Sequence, residues 1–137
     1  KEPVLDGETV QYSSHFMIQD TLAYDFEREQ NFSYSGLTNE QKVLHAMAFL
    51  ADIWQVHPFR EGNTRTVAVF GIQYLRKLGF HIDNSLFSEH AAYFRNSLVF
   101  YHHHGEKQDK HFLKIFFENL LLGKKNVLLD EDMYAKE

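Results

Sequence analysis

Residues 57–66 read HPFREGNTRT, and the architecture of the chain turns on this decapeptide. Pro58 disfavours helical geometry at His57, so a helix arriving from the N-terminal side ends there. Gly62-Asn63 leads into VAVFGIQYLRKLG, a helix-forming run, which makes the stretch a loop between two helices. The first amides of that second helix have no intrahelical acceptor. With the helix dipole they form an anion site, which Gly62 lets a phosphate approach closely. Asn63 is read as the helix cap, and Arg65, on the first turn, can fork onto phosphate oxygens. Glu61 is a candidate ligand for Mg²⁺, which typically takes one or two carboxylates plus substrate phosphates. His57 titrates near neutral pH and suits a general base for a hydroxyl nucleophile. Phe59 alternates with these polar groups and is read as an inward anchor of the loop. Taken singly, each has a plainer reading: His57 as a helix-end or surface histidine, Glu61 as a complement to the helix dipole, Arg65 as a surface charge. In register, they are the parts needed to handle a phosphate ester.

Helices extend outward from the loop. The preceding one starts at a Thr38–Gln41 capping box and runs to about Val56, with Val43, Leu44, Met47, Leu50, Ile53 and Trp54 at helical spacing. The following one buries Val67, Phe70, Ile72, Leu75 and Leu78 and stops at Gly79. An earlier helix is expected from a cap at Ser13 or Ser14 to about Gln30, with Phe16, Leu22, Ala23 and Phe26 near one face, then a loop over 31–37. Two later helices are expected, about Ser88 to Tyr101 and about Asp109 to Leu122, the last closed by Gly123. Over residues 4–12, Val4 and Leu5, Asp6-Gly7, then Thr9, Val10 and Tyr12 predict a short β-hairpin near the start, which must lean on a larger body to be stable. The fold class is therefore all-α, with one small hairpin.

Composition narrows the function. The chain has 137 residues, 44% of them hydrophobic, with 13 Phe, 7 Tyr and one Trp. That suits one domain with one core over residues 1–137. A net charge of −5 excludes a broad basic nucleic-acid footprint. Without cysteine there is no disulfide framework or thiolate metal site, and no apolar run reaches the length of a membrane span. The chain opens on Lys1 rather than methionine, so a longer parent with further N-terminal helices is expected, as is a polar tail over 124–137. His102, His103 and His104, near His111, are read as part of a solvated loop. They have no carboxylate or cysteine at tetrahedral zinc spacing.

The decapeptide resembles the motif of the Fic (Fic/Doc) family, HPFx(D/E)GNGRxxR. The resemblance implies a helical domain that transfers AMP from ATP, with Mg²⁺, to a protein side-chain hydroxyl and releases pyrophosphate. By that likeness His57 deprotonates the target hydroxyl, Phe59 anchors the loop and Glu61 binds Mg²⁺. Gly62, Asn63 and the Thr64 amide cradle the α- and β-phosphates, and Arg65 grips the phosphate tail. Tyr93 and Asn96 lie where relatives line the nucleobase pocket; as residues they read equally as a core aromatic and a surface amide. Val4, Leu5, Asp6, Gly7, Glu8, Thr9 and Val10 stand where the family carries a flap that docks the target as an added strand. The resemblance also implies a bacterial cytoplasmic setting, although secreted effectors carry the domain, and a separate inhibitory antitoxin as a further partner.

Two departures bear on this expectation. Thr64 replaces the second glycine of the motif, and its branched side chain restricts the backbone and crowds the cradle. Ala68 replaces the final arginine, which in relatives meets the γ-phosphate and pairs with an inhibitory glutamate in (S/T)xxxE(G/N). No such motif occurs; Ser85 to His90 comes nearest. Losing one charged donor costs about 1.5–3 kcal/mol if nothing replaces it. Two alternatives therefore stay open: transfer of another nucleotidyl, phosphoryl or phosphocholine group on the same fold, and a non-catalytic module that binds a strand.

Overall fold

A computed structural model describes residues 18–56, 62–103 and 109–129. Among them are six helices and no strand: α1 (Ile18–Gln30), α2 (Asn39–Val56), α3 (Asn63–Lys77), α4 (Ser85–Glu89), α5 (Ala91–His102) and α6 (His111–Leu122). The all-α class holds. The expected hairpin, with its flap residues, lies outside the described residues, as does the start of the first helix.

Helix α2 is the hub, packed against α1, α3, α5 and α6. Its start is the reciprocal box read from the sequence. The Thr38 amide donates to Gln41 Oε1 (2.9 Å) and the Gln41 amide to Thr38 Oγ1 (3.2 Å). Gly71 on α3 faces Leu50, whose Cδ1 lies 3.0 Å from where a Cβ would stand. The missing side chain thus brings the two central helices together. Behind α2, Phe94 stacks on Phe116 at 5.0 Å, and Phe87 meets both edge-on. Such ring pairs add to the apolar area removed from water. Helix α3 closes on a Schellman turn: Phe80 donates to the Leu75 carbonyl and Gly79, at φ 103°, to that of Arg76. After Gly123 the chain is clasped to α6, because Asn126 and Asn119 exchange amide and carbonyl bonds of 2.9 Å.

Several expectations are corrected. The helix read from Ser88 to Tyr101 is two helices, broken at His90 (φ −124°, ψ 35°). The first begins earlier because Asp83 Oδ1 accepts from both the amide and the hydroxyl of Ser85. Leu44 and Leu78 are exposed, not core. Of the apolar face expected on α1, Leu22 packs against the core, but Ala23 is exposed and the fully buried residues are Asp25 and Glu29. Phe26, although 39% exposed, still meets Phe49 and Phe70 edge-on. The first two histidines of the tract are not in a solvated loop; His102 and His103 are both buried. His102 Nε2 donates to the Ala51 carbonyl at 2.6 Å, which couples the end of α5 to α2.

Candidate functional site at the start of α3

Gly62 takes φ 77°, ψ 14° immediately before α3, a left-handed conformation that side chains disfavour. It occupies the cap position in place of Asn63, which is the first helical residue and is buried. The Thr66 amide donates to the Gly62 carbonyl at 2.9 Å. The amides of residues 63–65 therefore precede the helical ladder, at the positive end of the helix dipole. Arg65 is exposed beside them.

The departure at Thr64 has a structural use. Its Oγ1 accepts a hydrogen bond from the Trp54 indole N–H at 3.0 Å. Trp54 is buried and stacks on His102 (5.9 Å, 12°). The Thr64 hydroxyl thus ties the first turn of α3 to α2 and, through Trp54, to α5. The backbone amide of Thr64 is retained.

This turn heads a cleft of about 740 Å³ between α3 on one side and α4 and α5 on the other, within the size range of small-molecule sites. Gly62, Asn63, Thr64 and Arg65 line it together with Ala68. Further along, Val69, Ile72, Phe87 and Ala91 make its walls mainly apolar. Tyr93 and Asn96 do not line this cleft. Tyr93 is in the core, its hydroxyl donating to the Phe112 carbonyl at 2.8 Å, and Asn96 is buried as well, so it is no surface amide. Their neighbour Arg95 faces the cleft instead. Sequence reasoning missed it, although Ser88, Ala91, Ala92 and Arg95 recur at the helical spacing of one face.

His57, Phe59, Glu61 and the flap residues 4–10 lie outside the described residues. No group of three or more histidine, aspartate or glutamate side chains among the described residues could cage a metal ion. Mg²⁺ does not require such a cage, since substrate phosphates and water commonly complete its shell.

Away from the cleft, polar groups are sunk between helices. The buried Glu29 carboxylate accepts from Tyr34 Oη (3.0 Å), Tyr74 Oη (2.8 Å) and His45 Nε2 (2.9 Å). Burial, reinforced by the Glu29 charge and hydrogen bond, pushes both phenols well above their ordinary pKa. Burial also raises Asp25, against the opposing pull of Arg28. It raises Asp52 too, with Asp25 adding to the rise and Arg28 and Lys110 opposing it.

No helix among the described residues is long and apolar enough to cross a membrane. No curated protein and no solved structure gives a significant match to the chain. The model of the Fic/DOC family matches residues 6–75, just over half of the sequence and including the whole decapeptide. The chain belongs to the Fic/DOC family.

Proposed function

We propose that this chain is a protein adenylyltransferase, moving AMP from ATP to a side-chain hydroxyl of a target protein. Members of its family commonly transfer AMP or other groups. The observation that carries the reading is the left-handed Gly62 turn and the first amides of α3 at the head of a largely apolar cleft. A nucleotide needs such a pairing, with donors for its phosphates and an apolar slot for its base.

In this mechanism, His57 takes the proton from the target hydroxyl as that oxygen attacks the α-phosphorus. The new O–P bond forms as the bond from the α-phosphorus to the bridging oxygen of the β-phosphate breaks, and pyrophosphate leaves. The amides of 63–65 hold the phosphate oxygens where charge develops, and Arg65 steadies the departing end. Glu61 would hold Mg²⁺, which when bound offsets charge on the phosphates. Residues 4–10 would present the target segment as an added strand, and a separate antitoxin would regulate the enzyme within the same scheme.

The test is transfer of label from α-³²P-ATP and γ-³²P-ATP to lysate proteins with Mg²⁺, alongside His57→Ala. The reading expects label from the α position alone, reduced about 10²–10⁴-fold in the variant. Label from the γ position alone would replace it with a kinase. Ala68 on the cleft wall favours testing other nucleotides and phosphocholine donors as the second reading.

A further inference from the structure

We infer that Arg95 on α5 is the second cation of the phosphate site, facing Arg65 from the opposite wall and selecting nucleotides with more than one phosphate. The inference rests on the nucleotide reading above and adds a residue to it. Both arginines line the one cleft, and the direction of its walls fixes which end each occupies. Thr64 at the start of α3 is bonded to Trp54, which stacks on His102 at the far end of α5. At the other end of α3, Arg76 donates to the Ile82 carbonyl and to Asn84 Oδ1, just ahead of α4. The walls therefore run antiparallel. Passing along the second wall from Asn84 through Ser88 and Ala91 to Arg95 leads toward the Gly62 turn. Arg95 lies about 6 Å beyond Ala91 along its helix, at the cradle end.

The cleft is thus polarised. Two guanidinium groups and the α3 amides stand at one end, while Val69, Ile72 and Phe87 extend toward the other. Ala68, on the cleft side of α3 one turn after Thr64, projects only a methyl group and leaves room for a guanidinium from across the cleft. Two arginines on opposite walls match the charge of a phosphate chain better than that of a single phosphate, because each can fork onto separate oxygens.

Titration calorimetry of the full chain with ATP, ADP and AMP, each with Mg²⁺, tests this. Arg95→Ala should weaken ATP binding tenfold or more and leave AMP within about twofold. Arg95→Lys should fall between, since a point charge replaces a fork. Adding Ala68→Arg to Arg95→Ala should recover ATP affinity by supplying the guanidinium from the other wall, a rescue that a merely structural role would not show. Arg95→Gln, closer in shape, serves if the alanine variant loses its helical circular dichroism. Equal ATP affinity in wild type and variants overturns the Arg95 assignment alone, as does an equal loss for ATP and AMP. A wild-type chain that binds none of the three overturns the nucleotide reading and the assignment with it.

Discussion

Helices α1 and α2 lie side by side and are held by opposite means. Helix α2 buries nine residues, all apolar, from Val43 to Val56. The buried residues of α1 are both acids, Asp25 and Glu29. Apolar burial is non-directional and tolerant of small shifts. A carboxylate among two phenols and an imidazole is neither, because its energy depends on three donors meeting one group at once. The hub of the fold is fixed by area removed from water, whereas α1 adds to the packing of Leu22 and Phe26 a contact set by hydrogen-bond geometry at Glu29.

The largest effect should come from the apolar side. Trp54→Ala should cost about 3–5 kcal/mol in urea unfolding and also loosen the first turn of α3 by removing the donor to Thr64. A loss under 1 kcal/mol would mean that α2 is not the hub. Glu29→Leu should cost about 3 kcal/mol, because it strands the Tyr34, Tyr74 and His45 donors. The two helices should also differ in alkali. Above pH 10 the unfolded chain releases phenolic protons that native Tyr34 and Tyr74 retain, so stability falls with rising pH. Tyr34→Phe combined with Tyr74→Phe should flatten that limb, measured as melting temperature from pH 9 to 11. An unchanged slope would remove the phenols from the account.

Smaller effects sharpen the contrast. Thr38→Ala should cost about 1 kcal/mol through loss of the cap at the start of α2, without a pH signature. The subtlest is Asp25→Asn. Burial raises Asp25 from its ordinary value of 3.8, so the native state holds that proton more tightly than the unfolded chain. Its contribution is present below 3.8 and is lost as pH rises through the raised native value. The asparagine variant should therefore gain on wild type across that interval and hold the gain at neutral pH. A variant that loses stability at pH 7 would show the Arg28 attraction to be the stronger influence.

The same contrast explains what could be read in advance. Signals carried by adjacent residues were legible: the Thr38–Gln41 box and the terminators Gly79 and Gly123. The Gly62–Arg65 cluster was legible too, and these residues do line one cleft. Features set by distant partners were not. Glu29 looks like a surface acid until Tyr74, 45 residues on, turns its hydroxyl toward it. The break at His90 has no glycine or proline to announce it. Histidines after a helix read as solvated, whereas His102 is held by the Ala51 carbonyl, 51 residues away. Tyr93 and Asn96 were expected at the site from the family resemblance alone, whereas the face of α4 and α5 that lines the cleft carries Ser88, Ala91, Ala92 and Arg95, and no local signal marks that face as the one over α3.

Trp54 is the only tryptophan in the chain, and its indole N–H rests on Thr64 in the turn that heads the cleft. Excited at the red edge of aromatic absorption, where tyrosine does not absorb, the unlabelled protein therefore emits from a single source, on α2 against the first turn of α3. A buried indole beside an imidazole should emit toward the blue. Any ligand that shifts that turn should change its brightness, so the fold carries its own optical gauge of occupancy.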